Sequence, residues 1–238
     1  FEVANPFCQP VWVDVKVPWD APAGIYAGTI IVKGPHDVHI AVSLNVWDFS
    51  LSEKPNTFTM TWSMNDWFMK DGVDCCLAKL GVLLDHRVAP WYVADQHKTD
   101  LFQFDRVVKW LWSRGVPIQA LSGKPEPELY RHIKDMGWLD RFICIWGDEP
   151  HERDYAEYRS RTQQIHMDCP GLSVAMTETP RPDNIGLFDV WIPEPSSQND
   201  QWIQDALQRG DRVWWYFCQL PIHAEYPGPI HANPGMVV

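Results

Sequence analysis

Phe142-Ile-Cys-Ile-Trp-Gly-Asp-Glu-Pro150 decides the reading of this chain, because an apolar run ends there on two adjacent carboxylates just where proline stops it. A parallel strand covered on both faces reads as a continuous apolar run, and charge is costly inside it. Asp148 and Glu149 are therefore expected at the mouth of that strand. The same tripeptide also has the composition of a helix start, since acidic residues and proline favour a first turn. The neighbouring segments decide between these readings.

Toward the N-terminus the chain is built of strands alone. Apolar residues fall at 38, 40, 42, 44 and 46, the period of a half-buried strand, and Val11, Val13, Val15 and Val17 repeat it. Asp20-Ala-Pro-Ala-Gly24 is a turn cluster, and Ile25–Lys33 is a further strand closed by Gly34-Pro35. Residues 1–52 are expected to form the C-terminal part of an Ig-like β-sandwich. The polar stretch from Ser50 to Thr57, with Pro55 inside it, marks the domain boundary.

Beyond that boundary strands and helices alternate. Phe58–Ser63 reads as a strand and Asp71–Leu84 as a helix. Phe104, Val107, Val108 and Leu111 are spaced i, i+3, i+4, i+7, which predicts an amphipathic helix before the strand Val116–Leu121. Glu126–Met136 is a third helix, and Tyr155, Tyr158, Thr162 and Ile165 share one face of the helix after Pro150. Leu172–Thr177, Leu187–Ile192 and Arg212–Cys218 read as strands, with the helix Gln201–Gln208 before the last. This alternation predicts an α/β fold with a parallel sheet, and the number of units favours a (β/α)8 TIM-like barrel over an open sheet. Residues 56–238, the expected catalytic barrel domain, hold about seven strands and fall short of the roughly 200–250 residues such a barrel takes. The eighth strand is expected beyond Val238. Phe1 in place of an initiating methionine reads as the start of an internal fragment of a longer precursor.

Composition narrows the partners. A 45% hydrophobic content predicts a packed core, and a formal charge of -11 disfavours nucleic acid and anionic membrane surfaces, which reward basic stripes. No apolar run approaches the ~18 residues of a membrane span. Fourteen tryptophans and seven tyrosines supply faces for the C–H faces of sugars, although most are expected to fill the core. The six cysteines (8, 75, 76, 144, 169 and 218) show neither a Cys-x-x-Cys spacing nor a histidine at zinc-finger distance, so no structural metal is expected. Cys144 and Cys218 lie in apolar strand-like runs and are expected to be small buried hydrophobes. The redox compartment and the oligomeric state stay open.

Several expected strands end in a polar group beside proline: Asp148-Glu149-Pro150, Glu178-Thr179-Pro180, Glu194-Pro195 and Gln219-Leu220-Pro221. In a barrel all these ends converge on the face that holds the active site. Glycoside hydrolysis suits such a ring, because it needs a general acid for the leaving oxygen and a negative group for the oxocarbenium-like centre. Adjacent strand residues point to opposite faces, so Asp148 and Glu149 share a pocket only if the extended backbone ends or bulges there. Held close, two carboxylates separate into a neutral acid and an anion without any metal or cofactor. Glu149, with the longer reach, is expected to be the acid.

Asp148-Glu149-Pro150, Asp189-Val-Trp-Ile-Pro193 and Val213-Trp-Trp-Tyr-Phe-Cys218 followed by Pro221, in that order, resemble the catalytic domain of glycoside hydrolase family 123. Asp14-Val-Lys-Val-Pro18, Ala21-Pro-Ala-Gly24 and Tyr26-Ala-Gly28 are similar to the sandwich that precedes it, and His86-Arg87 with Pro90 matches a further segment. The resemblance implies a retaining β-N-acetylgalactosaminidase in which the sugar's 2-acetamido oxygen attacks the anomeric carbon. Carried onto this chain, it makes Glu149 the general acid/base. Asp148 becomes the residue that orients the acetamido group and stabilises an oxazolinium-like intermediate. Candidate sugar contacts are Trp215, Tyr216, His86, Arg87, Trp146 and Trp191. For each the alternative is packing or scaffold hydrogen bonding, and alternation leaves at most some of Trp214, Trp215 and Tyr216 facing the pocket.

Two other readings stand beside this one. A retaining glycosidase could use Glu178 or Glu194 as a covalent nucleophile, with carboxyls about 5–5.5 Å apart. A carbohydrate-binding module without catalysis fits the aromatic content but leaves the acidic pair without a role.

Overall fold

The computed structural model describes residues 10–52, 59–61, 71–91, 100–195 and 199–216. The chain divides into two compact units, Phe1–Asn56 and Thr57–Val238. In the first, β1 (Gly24–Val32) and β2 (Val38–Val46) pair antiparallel, from Gly24 opposite Val46 to Val32 opposite Val38. Val42, Leu44 and Val46 are half-buried, while Val38 and Ile40 are exposed. The strand expected over Val11–Val17 has no ladder partner among the described residues, and its four valines are exposed. Alternation gives a segment two faces, but only a neighbour's N–H and C=O groups make it a strand.

The second unit is mixed α/β, with five α-helices among the described residues. Its order is β3 (Thr59–Thr61), α1 (Val73–Asp85), β4 (Val88–Pro90), α2 (Leu101–Ser113), β5 (Gln119–Ser122), α3 (Pro127–Asp135) and β6 (Phe142–Ile145). Then follow α4 (Tyr155–Asp168), β7 (Ser173–Met176), β8 (Val190–Trp191), α5 (Asp200–Gln208) and β9 (Arg212–Val213). Asp100 caps α2 through the amides of Phe102 and Gln103, and Asn199 caps α5 through those of Gln201 and Trp202.

Pairing is parallel throughout: β3 with β4, and β5-β6-β7-β8-β9 in chain order. Trp91 joins the two groups, its amide bonding Thr61 O (3.0 Å) and its carbonyl accepting from Ala120 N (2.9 Å). The two sheet faces differ. Phe142, Cys144, Leu121, Val174, Met176 and Trp191 pack with the buried stripes of the helices. The opposite face carries Ala120, Ile143, Ile145, Ala175, Val190 and Ile192, with Trp91, Trp214 and Tyr216 packed against them, and among the described residues no helix contributes to it.

Five of the nine described tryptophans of this unit, Trp110, Trp112, Trp138, Trp146 and Trp191, pack on the helix side. Trp112 meets Trp138 edge-on at 4.8 Å, and its Nε1 donates to the buried Gln119. Burial pushes the Cys144 thiol up to about 12 and the Cys76 thiol up to about 11, so both stay protonated and act as small hydrophobes. The β8 ladder is shorter than the expected Leu187–Ile192, because Leu187 and Phe188 are buried within the turn that precedes it. Burial alone does not separate strand from packed turn.

Candidate active site

Strand β6 ends at Ile145, and α4 begins only at Tyr155, after a 3-10 turn over Glu152–Asp154. Asp148-Glu149-Pro150 is therefore a separate turn between them and not the first turn of α4. Glu149 has φ +42°, the left-handed region that a side-chain-bearing residue rarely adopts. Gly147 allows this turn to lie close to α4, because a Cβ there would come within 2.6 Å of the Tyr158 hydroxyl. Tyr158 is itself held by Trp146, with ring centroids 4.3 Å apart.

Thr177, the residue after β7, organises the turn. Its hydroxyl donates to Asp148 Oδ1 (2.5 Å) and accepts from the Glu149 amide (3.0 Å). Tyr216 arrives from the other side. The β8–β9 pairing continues past the ladder through Trp214 N to Trp191 O and Tyr216 N to Pro193 O, which carries Tyr216 to the mouth of the sheet. There its phenol donates to Glu149 Oε1. Burial, then the bond to Glu149 and the nearby charges of Glu194 and Asp148, hold the Tyr216 phenol far above its ordinary range, so it remains a donor.

A cavity of about 580 Å³ opens beside Glu149, with Glu178, Arg181 and the 150–153 segment in its wall. Neither Asp148 nor Tyr216 lines it; both reach it only through Glu149. Glu178 accepts from the Thr179 amide (2.7 Å) and faces Arg181 at 3.7 Å. Burial raises its carboxyl above the usual range, against the lowering effect of Thr179 N–H and Arg181. The fully buried Asn184 folds this wall: Oδ1 accepts from Arg181 N, and Nδ2 donates to Thr179 O and Tyr155 OH. No three His, Cys, Asp or Glu side chains converge in a metal-binding arrangement among the described residues.

The structure thus brings Asp148, Glu149 and Tyr216 together, and it scatters the other candidates. Trp215, 43% exposed, lies between the inward Trp214 and Tyr216 and faces away from them. Trp191 is wholly buried on the helix side, where its Nε1 donates to Asp211. Trp146 packs on the same side, between Tyr158 and the guanidinium of Arg161. His86 caps the C-terminus of α1, its Nδ1 bonded to Val82 O, and Arg87 takes a left-handed turn into β4. Both therefore precede a strand, at the end opposite to Asp148 and Glu149. Asp189 likewise precedes β8 and accepts from Val174 N and His166. Glu194 is half-buried near Tyr216, whereas residues 219–221 lie outside the described residues.

Thr177, Arg181 and Asn184 were not singled out by sequence reasoning, which favoured Trp215 and Tyr216 over Trp214. A signal existed for Thr177 and Trp214. Continuing the alternation of β7 past Ala175 puts Thr177 on the helix-free face, and Trp214 shares that face with Tyr216 by the same count of two.

No family model matches the sequence, and no curated protein matches it. Among solved structures, the chain is similar to a family 123 glycoside hydrolase from Clostridium perfringens whose description concerns glycolipid glycan hydrolysis. The identity is 13% and the TM-score 0.54, over 87% of this chain and 52% of that one. The chain spans about half the length of that protein, and the likeness is one of fold.

Proposed function

We propose that the chain carries the catalytic face of a retaining exo-glycosidase that removes terminal β-linked N-acetylgalactosamine with the help of the substrate's own acetamido group. One observation carries this reading: two sequence-adjacent carboxyls are gathered at one strand end by Thr177 and Tyr216. In the first step Glu149 donates its proton to the glycosidic oxygen and the bond from that oxygen to C1 breaks. The acetamido oxygen closes on C1 to give an oxazolinium ion, while Asp148 accepts the acetamido N–H and balances the charge. In the second step Glu149, now ionised, takes a proton from water as that water attacks C1 and reopens the ring. Two inversions at C1 retain configuration. Tyr216 on Oε1 leaves Oε2 to carry the proton that moves.

The architecture we infer is a (β/α)8 barrel after part of an Ig-like sandwich. Chain-order parallel pairing supports closure, as does a second sheet face that no helix among the described residues covers. The scheme needs neither metal nor cofactor.

Release of a chromophore from 4-nitrophenyl β-N-acetylgalactosaminide tests the reading directly. We expect turnover, inhibition by a thiazoline mimic of the oxazoline, and no hydrolysis of the plain β-galactoside. Equal rates on both glycosides would end the substrate-assisted scheme. A covalent route through Glu178 is the second reading, because Glu178 shares the cavity with Glu149. Its burial works against it, since a nucleophile must be ionised. Labelling of Glu178 by a 2-fluoro sugar would establish it.

A further inference from the structure

We infer that Thr177 is a positioning residue for the reaction, a single hydroxyl that locks the backbone of the acid and the carboxyl of its partner into one geometry. The inference rests on the glycosidase reading for its kinetic consequence but not for its structural one.

A threonine hydroxyl has one hydrogen to give. Thr177 gives it to Asp148 Oδ1, so that oxygen is held as an acceptor, and its lone pair receives the Glu149 amide. The same atom therefore fixes a side chain at 148 and a backbone group at 149. The backbone it fixes is the strained one, at φ +42°, where a peptide without support relaxes to ordinary values. Thr177 is itself well buried, at 7% exposure, and follows β7 directly, whose pairing with β6 runs from Ile143–Ser173 to Ile145–Ala175. The hydroxyl is thus anchored on rigid sheet while its two partners sit in a turn. Among the described residues, the phenols of Tyr158 and Tyr216 both sense the charge of Asp148, and Glu149 follows it in the chain. None of them replaces the hydroxyl, since Tyr216 is engaged with Glu149 and Tyr158 with the Gly147 side of the turn.

The experiment compares Thr177→Val, which keeps the shape and removes the hydroxyl, with Thr177→Ser, which keeps the hydroxyl and removes a methyl. On the β-N-acetylgalactosaminide, Thr177→Val should lower kcat by about 10- to 100-fold with KM nearly unchanged, the cost of a reacting group displaced by a fraction of an ångström to an ångström. Thr177→Ser should stay within about threefold of the parent, having kept the hydrogen bonds. In parallel, amide hydrogen exchange followed by NMR reads the Glu149 N–H, which Thr177 accepts, without any turnover. Exchange at that amide should quicken in Thr177→Val and hold in Thr177→Ser.

Unchanged exchange at the Glu149 amide in a folded Thr177→Val protein overturns the inference. So does an unchanged kcat in a parent that is active. An inactive parent refutes the glycosidase reading instead, and the NMR comparison still decides the role of Thr177. If Thr177→Val does not fold, Thr177→Ser decides, since loss of the parent's slow exchange there would assign Thr177 to packing.

Discussion

The two ends of the same parallel strands use the same residue types for opposite purposes. At the amino ends, Asp189 accepts from Val174 N and His166, and His86 closes a helix with Arg87 turning beside it. These groups join one element to the next. At the carboxyl ends, Asp148 and Glu149 each meet a hydroxyl, from Thr177 and Tyr216, and Glu149 opens on a cavity. Asp189 is bound by a backbone amide and a helix histidine, whereas Asp148 and Glu149 are held by hydroxyls at a strained turn, the arrangement that the proposed chemistry calls for. The side of the strand on which an acid falls is thus more informative than its identity.

The sharpest way to break this comparison is to make the same isosteric change at both ends. Glu149→Gln should reduce turnover of the N-acetylgalactosaminide by roughly 10²–10⁴-fold with an unchanged melting temperature. Asp189→Asn should leave kcat alone and cost about 1–2 kcal/mol in urea unfolding. The reverse pattern would move the active face to the other end.

Two aromatic replacements sharpen it further. Trp191→Ala empties a fully buried site on the helix side and should cost about 3–5 kcal/mol by chemical denaturation. Trp215→Ala, on an exposed side chain, should fall within about 0.5 kcal/mol.

A smaller effect is expected behind the acid. Gly147→Ala sets a methyl against the Tyr158 ring and should destabilise by about 1–3 kcal/mol, seen as a lowered melting temperature.

The smallest effect concerns pH. The Glu178 carboxyl is raised in the folded protein by burial, so its neutral form is favoured on folding. Its contribution to stability is complete below the ordinary glutamate range and is lost as pH rises through the raised folded value. Glu178→Gln should flatten that decline in a stability–pH series; an equally steep decline would show that Glu178 is not its source.

Much of the sheet and most of the helices were legible because period and burial agree over long windows. Val38–Val46 reads as a strand and is one, and Phe104, Val107, Val108 and Leu111 are the buried stripe of α2. The Val11–Val17 alternation finds no ladder partner among the described residues, because a strand is a property of two segments and the second is not encoded locally. In the site, the apolar run and its proline placed Asp148 and Glu149 at a strand end. The choice among Trp214, Trp215 and Tyr216 needed the register with β8, which no local pattern contains. His86 and Arg87 looked equally apt until their position before β4 was known. Thr177 was hidden by its ordinariness, since a threonine at a strand end has many uses and only the left-handed backbone opposite explains this one.

Neither grip on the Asp148–Glu149 pair involves a cation. Thr177 and Tyr216 are both neutral, so dissolved ions have no opposite charge to compete with at these contacts, unlike the exposed Lys33–Asp37 pair of the first unit. The turn is consequently built to keep its shape in brine as well as in dilute buffer.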